Sequence, residues 1–258
     1  MKLRIVSSII AILILFFFLF YLPQLYFYIF LFIIVSLSQF ELHKLLYQKI
    51  NMFYLLTILF NAVIFISMYK GNYNIFFELF TIFSLLIFTY LVLTFRNFSN
   101  TSENIIKFIF SLIYISMFSI YAVLIYEQPN GQFLLLHLLI ICWATDSFAF
   151  LCGKNFGIHK LYEAVSPNKT VEGFIGGLAG GAIFGIFGKI FVDYSIGQLL
   201  IISLVISLTC VIGDLFESML KRHFNVKDSG ALFPGHGGIL DRIDGVLFAI
   251  PVYYLMLT

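Results

Sequence analysis

Charge is scarce in this chain. Asp, Glu, Lys and Arg make up 11% of its 258 residues, against 61% hydrophobic residues. Soluble domains carry about a quarter charged residues, so an ordinary soluble fold is excluded. Cysteine is also rare: Cys142, Cys152 and Cys210 are the only three. They lack CxxC spacing and suggest neither a disulfide nor a zinc site, only small packing residues. A P-loop is missing too. The glycine-rich run GFIGGLAGGAIFGIFGK (Gly173–Lys189) lacks the GxxxxGK[ST] spacing and is too hydrophobic for a phosphate-binding loop. No internal repeat and no separate soluble domain is visible, the net charge of +2 says little, and no nucleic-acid partner is expected.

What the chain has in quantity is apolar runs, with a mean hydropathy of +1.02. Runs of membrane-spanning length fall at about 5–21, 25–40, 51–69, 73–95, 105–126, 132–150, 173–192, 196–213 and 239–257. Lipid cannot satisfy exposed backbone, so these are expected to be helices. The expected fold is therefore an all-α polytopic membrane protein of about nine transmembrane helices, in a single integral-membrane domain over 1–258. Met1–Tyr21 starts basic, but its apolar core is too long for a signal peptide and leads straight into further spans, so a retained first helix is expected. An N-terminus in the cytoplasm and a C-terminus on the opposite side place thirteen basic residues inside: Lys2, Arg4, Lys44, Lys49, Arg96, Lys107, Lys154, Lys160, Lys169, Lys221, Arg222, Lys227 and Arg242. Only Lys70 and Lys189 fall outside, as the positive-inside rule requires.

Polarity divides the domain. Residues 1–130 form a hydrophobic helical scaffold, in which Glu41, His43 and Lys44 are expected to be a solvated cytoplasmic helix end. Residues 131–258 alternate spans with two polar cytoplasmic loops at about 151–172 and 214–238. Within the spans, Gly177, Gly181 and Gly185 recur every four residues on one face, a pattern for close helix packing.

Several constellations in the second half carry chemistry. If the eighth span continues past the membrane edge, Asp214, Ser218 and Lys221 share one helix face; taken alone this reads first as an amphipathic helix end with snorkelling Lys221 and Arg222, and second as a place for a metal-bound polyphosphate. Lys227–Gly238 (KDSGALFPGHGG) is an irregular loop whose backbone N–H groups can converge on an anion, with charge from Lys227 and His236. Asp241 and Asp244 are three apart at the start of the last span and share a face. A centrally placed Asp costs about 2.5–3.5 kcal/mol on insertion scales. A shared cation relieves that cost and their repulsion, and oxygen-only ligands favour magnesium. Asp146 is the most deeply embedded acid, and an intramembrane carboxylate points to function. In the following SPNKTVEG segment, Ser166 is expected to cap a helix beginning at Pro167, which sets Lys169 and Glu172 one turn apart.

Together these residues resemble the CDP-diacylglycerol synthases, or phosphatidate cytidylyltransferases. The shared signature is Ser218, Lys221-Arg222, Lys227-Asp228, Pro234, His236-Gly237-Gly238, Asp241-Arg242 and Asp244. Upstream, Asp146-Ser147, Ala149-Phe150, Gly153-Lys154, SPNKTVEG and Gly213-Asp214 also look like the family's, so the resemblance covers about 137–257. One departure is Asn168, where the family commonly has a second basic residue.

The resemblance implies a nucleotidyltransferase of phospholipid biosynthesis: CTP and phosphatidic acid give CDP-diacylglycerol and pyrophosphate. It implies Mg2+, alone or with a second cation, on Asp214, Asp241 and Asp244. Lys221, Arg222 and Lys227 are implied to neutralise phosphate charge, with Asp228, His236 and Asp241 also in the catalytic group. Asp146, Ser166, Lys169, Thr170, Glu172, Ser218, Gly237, Gly238 and Arg242 are implied to contact substrate. The expected setting is a bacterial inner membrane with the active site facing the cytoplasm, and the family analogy points to a homodimer. The DGx2AR pattern of the CDP-alcohol phosphotransferases is absent, since no Ala-Arg pair follows Asp244-Gly245. A CTP-using lipid-alcohol kinase is the nearer alternative. A transporter fits less well, because the ionisable residues cluster at one edge instead of the midplane.

Overall fold

The computed structural model describes residues 2–71, 78, 81–86, 89, 92, 98–190, 192–232 and 237–258. Arg96, Pro234 and His236 lie outside the described residues, as does much of the expected span at 73–95. Six described helices are long and apolar enough to cross a membrane: Gln24–Tyr47, Met52–Tyr69, Ser102–Tyr126, Gly131–Phe156, Val171–Ile190 and Ile196–His223. The chain is an all-α polytopic membrane protein, its helices interrupted, among the described residues, by one short hairpin. It divides into two compact units, Met1–Met117 and Phe118–Thr258.

The first unit contains α1 (Lys2–Phe20), α2 (Gln24–Tyr47), α3 (Met52–Tyr69) and α4 (Phe98–Ser111). Pro23 stands at the N-cap of α2, and Asn51 caps α3 by accepting the Tyr54 N–H at 3.4 Å. After α4 the chain widens into a π-helical turn, Leu112–Met117. Gln39 of α2 docks there, donating to Ser111 O at 3.0 Å and Ser116 Oγ at 2.9 Å. That contact explains a correction. Helix α2 does not end in a solvated tip near residue 40: it runs to Tyr47 with Glu41 and His43 buried, and only Lys44 of the trio is exposed. His43 is stacked on Tyr47 at 5.4 Å between centroids. Aromatic neighbours and the docked glutamine keep water from this turn.

The second unit comprises α5 (Phe118–Tyr126), α6 (Gly131–Phe156), β1 (Lys160–Tyr162), β2 (Ser166–Thr170), α7 (Val171–Ile186), α8 (Ile196–His223) and α9 (Leu240–Leu257). Its core is a close stack of α6, α7 and α8, with α9 packed on α8. The glycine face of α7 makes the stack possible. A Cβ on Gly177 would lie 3.0 Å from Thr145 O of α6, and one on Gly173 would lie 2.8 Å from Ala149 O. On Gly181 it would meet Thr145 Oγ1 at 2.5 Å and also strike Ser207 Oγ of α8. Those two hydroxyls bond each other at 2.8 Å in the gap that the glycine leaves. The face is therefore used within the unit.

His137 of α6 ties three helices together. Its Nε2 donates to Gly185 O of α7 at 2.8 Å, which leaves Nδ1 of the neutral ring to accept from the Tyr253 hydroxyl of α9, also at 2.8 Å.

Both expected loops prove shorter than the polarity of the sequence implied. Helix α6 runs on to Phe156, and α8 runs to His223, where Asn225 in the left-handed region (φ 55°) closes it. There Val226 N bonds Lys221 O at 2.9 Å and Asn225 N bonds Arg222 O at 3.1 Å, a Schellman ending. Ser166 does not cap a helix. It opens β2, paired with Tyr162 of β1, and the cap of α7 is Thr170, whose hydroxyl accepts the Gly173 N–H at 3.1 Å. Pro167 can start a helix but also suits an edge strand, and here pairing with β1 prevails.

Candidate active site

The site forms around the C-terminal third of α8, because the helix stays helical while its sequence turns polar. Asp214, Ser218 and Lys221 follow at one-turn intervals on one face, as the spacing implies, and Ser218 Oγ donates to Asp214 Oδ1 at 3.4 Å. Gly213 allows α9 to come in close. A Cβ there would lie 2.6 Å from Asp244 O and 3.0 Å from the Gly245 Cα. Gly245 answers from the other side, where a Cβ would lie 2.6 Å from the Cys210 sulfur. This mutual approach of two glycines sets Asp214 beside Asp244.

Asp146 of α6 joins them. Asp146, Asp214 and Asp244 lie within electrostatic reach of one another, with Lys169 and Arg242 acting on Asp146. Lys169 comes from β2 and places its ammonium 2.6 Å from Asp214 Oδ2. One of three mutually repelling carboxylates thus already holds a cationic head, whose charge also favours the ionised form of Asp146. An all-oxygen donor set of this kind fits a hard divalent cation. Among the described residues, no three or more His, Cys, Asp or Glu side chains stand close enough to hold a metal ion by themselves. The set suits an ion that keeps waters or takes further oxygens from a phosphate.

Asp241 has a different neighbourhood from Asp244. Its Oδ2 accepts from Ser229 N and Ser229 Oγ, both at 2.9 Å, and from Gly238 N at 2.8 Å. Its Oδ1 takes the Lys221 ammonium at 2.6 Å. The same ammonium pairs with Glu217 one turn back along α8. Gly237 adopts φ +85°, and a Cβ there would sit 2.7 Å from Asp241 Oδ2 and 3.4 Å from Asp228 Oδ1, so that position requires glycine. The Asp241 carboxylate is thus the organising acceptor of the loop that enters α9. A carboxylate at the first turn of a helix also meets the positive end of its dipole.

Other expected site residues are placed nearby in supporting roles. Arg222 is exposed and ties two loops, its Nε 3.3 Å from Val165 O and its Nη1 3.4 Å from Val226 O. Lys227 and Asp228 are exposed on the turn after α8. Glu172, in the first turn of α7, accepts from Ile158 N at 3.0 Å, from His159 N at 3.2 Å and from His159 Nδ1 at 2.6 Å. It fastens the start of the hairpin to the helix. Lys160 donates to Pro167 O at 2.6 Å and closes the hairpin. Of the expected residues, Asp146, Lys169, Asp214, Ser218, Lys221, Asp241, Arg242, Asp244 and Gly238 come together around α8, α9 and β2. His236 lies outside the described residues. Two residues are newly found: Glu217, fully buried against Lys221, and Ser229, bound to Asp241. The i, i+4 spacing of Glu217 and Lys221 was the one available signal for the first. In sequence it is indistinguishable from an ordinary surface pair.

Comparison with known proteins bears on this arrangement. The model of the cytidylyltransferase family matches residues 2–258. The chain is 40% identical over 177 residues to a phosphatidate cytidylyltransferase of Staphylococcus saprophyticus, covering 67% of this chain and 68% of that protein. It is 41% identical over 177 residues to the protein of the same name from Staphylococcus aureus, with the same coverage, 67% and 68%. With that of Staphylococcus haemolyticus it shares 44% identity over 132 residues, 50% of this chain and 51% of the other. The chain belongs to the cytidylyltransferase family.

Proposed function

From membership of the cytidylyltransferase family we infer that this chain is a phosphatidate cytidylyltransferase, converting CTP and phosphatidic acid into CDP-diacylglycerol and pyrophosphate. The observation that carries the reading is the convergence of Asp146, Asp214 and Asp244 with Lys169 at the meeting of α6, α8, α9 and β2. Acids and a cation held together at the polar ends of apolar helices suit a polyphosphate that arrives with its metal.

In the reaction, a phosphate oxygen of the lipid attacks the α-phosphorus of CTP. The new P–O bond forms as the bond from the α-phosphorus to the β-phosphate oxygen breaks, and pyrophosphate leaves with the electron pair. The attacking phosphate is already anionic near neutral pH, so no strong general base is required. Positioning and charge neutralisation dominate. Asp214 and Asp244 would hold Mg2+, with or without a second cation, which when bound neutralises charge on the nucleotide phosphates; Asp241 would join them only by giving up the Lys221 ammonium, and otherwise sets the loop. Asp146 and Ser218 stand beside Asp214, and Lys169 balances the acids until a metal takes that role, while Ser166, Thr170 and Glu172 hold the hairpin that carries Lys169. Arg222 and Lys227 meet the leaving pyrophosphate or the lipid phosphate. Gly237, with Asp228 beside it, and Gly238 would offer backbone to a phosphate, and the family resemblance assigns His236 and Arg242 to the same task. Lys221, between two carboxylates, acts through Asp241.

The site faces the cytoplasm of a bacterial inner membrane, with about nine spans and the N-terminus inside, because that arrangement puts thirteen of fifteen basic residues on one side. The lipid then keeps its tails in the bilayer while its headgroup meets CTP. A homodimer uses a surface other than the glycine face of α7, which α6 and α8 already fill.

The test is direct. Purified protein with Mg2+, CTP and phosphatidic acid should form a CDP-lipid and release pyrophosphate. Formation of neither, under conditions where a Staphylococcus relative is active, overturns the reading. Release of CDP instead would point to a lipid kinase. Asp241→Asn should abolish turnover in a folded protein, and near-normal activity would remove Asp241 from the site.

A further inference from the structure

Glu217 is a carboxylate that the proposed chemistry does not use. It is 1% exposed, on the α8 turn between Asp214 and Lys221. Neither of its oxygens accepts a hydrogen bond in ordinary geometry, and its contact is the ion pair with the Lys221 ammonium. The side chains of Lys221 and Asp241 are also mostly buried, at 12% and 7% exposed. Glu217 and Asp241 act on each other electrostatically, with the single cation shared between them. Burying two acids with one base is costly, and such a group persists where its geometry is needed.

What it fixes is visible along the chain of contacts. Glu217 is rigidly placed by α8. Lys221 has a long stem with many rotamers, and a single acid would leave it free to pivot. With Glu217 behind it, the ammonium is directed at Asp241 Oδ1, which leaves Oδ2 to gather the Ser229 and Gly238 amides and the Ser229 hydroxyl. The loop after α8 and the first turn of α9 are therefore registered against α8 through one relay.

We propose that Glu217 is a positioning residue that holds Lys221 on Asp241 and thereby sets the loop carrying Ser229 and Gly238. Its catalytic consequence rests on the cytidylyltransferase reading above; its structural consequence does not. The experiment is hydrogen–deuterium exchange of the full chain in detergent, for wild type, Glu217→Gln, Glu217→Asp and Lys221→Met, alongside steady-state kinetics. In Glu217→Gln, amide exchange in peptides covering Ser229 and Gly238 should accelerate at least about tenfold, while residues 199–211 of α8 keep wild-type protection. kcat should fall by roughly 10–100-fold, the range seen when supporting partners of ligands are removed. The KM for CTP should move little, because Glu217 does not touch the nucleotide. Glu217→Asp, with its carboxylate withdrawn by one methylene, should lie between. In the Lys221→Met background, Glu217→Gln should add no further acceleration. Wild-type exchange around Ser229 and Gly238 in Glu217→Gln, or in Glu217→Asp should the first variant not fold, overturns the proposal. A wild-type protein that forms no CDP-lipid would sink the reaction instead, and the exchange result would still decide Glu217.

Discussion

Gly213→Ala tests the close approach of α8 and α9, and its consequence can be worked out from distances. The added Cβ would stand 2.6 Å from Asp244 O, 3.0 Å from the Gly245 Cα and 3.1 Å from the Phe248 Cβ. Two of those three atoms are backbone and cannot rotate away. An ordinary carbon–oxygen approach is about 3.3 Å, so the helices must part by about 0.7 Å at this point. Overpacking costs about 1–3 kcal/mol. Alanine returns about 1 kcal/mol of helix propensity over glycine. The net loss of stability is therefore about 0–2 kcal/mol, a fall in melting temperature of at most about 8 °C. Activity should suffer far more. The displaced residues are the neighbours of Asp214 and Asp244, and a 1 Å misplacement can cost about a hundredfold. Roughly 10–100-fold lower CDP-lipid formation is expected from a protein that still melts cooperatively. Gly197→Ala is the control: it lies on the same helix, and a Cβ there meets nothing within 4 Å. It should leave activity unchanged. Gly213→Ala within twofold of wild-type activity would refute the argument that helix spacing sets the carboxylates.

Further expectations concern single contacts. Lys169→Met removes the cation from Asp214 and leaves the acids uncompensated, so half-activation should require less Mg2+ if the ammonium competes with metal; an unchanged or higher requirement refutes that competition. Thr170→Val removes the cap of α7 and should lower stability by about 1 kcal/mol, read as a shift in thermal unfolding. Glu172→Gln weakens the tie between the hairpin and α7, and proteolysis between residues 157 and 165 should accelerate; wild-type resistance would show that β-pairing alone holds the hairpin. Chelation of divalent cations should stop turnover and added Mg2+ should restore it, whereas persistent activity in chelator would exclude the metal.

Much of the fold was legible because its dominant constraint is written in composition. Long apolar runs have one backbone solution in lipid, and the spacing of Gly177, Gly181 and Gly185 announced a packed helix face. The coincidence of Asp214, Ser218 and Lys221 on α8 followed from periodicity alone. Other features depended on partners far away in the chain. Ser166 offered a cap next to a proline, and only pairing with Tyr162 decides for a strand. Glu41 and His43 looked like a wet helix end, and their burial goes with the docking of Gln39 on Ser116 of a π-turn 77 residues later. Asp241 and Asp244 share spacing, yet Ser229 and Lys221 claim the first while α8 and α6 surround the second. Local pattern gives direction along one element; it carries no information about which neighbour arrives on that side.

The hydrogen bond from Tyr253 to His137 has a mechanical meaning. Tyr253 lies nine residues beyond Asp244 on α9, about 13.5 Å along the axis. Each residue turns a helix by about 100°, so holding Tyr253 at a fixed azimuth also fixes the bearing of Asp244 at the other end. The imidazole itself is immobilised by the Gly185 carbonyl of α7. Helix α9 is thus keyed at its apolar end, with Pro251 between the key and the acids and the working face at the polar end. Losing that key would leave the bearing of Asp244 to the contacts with α8 at Gly213 and Lys221.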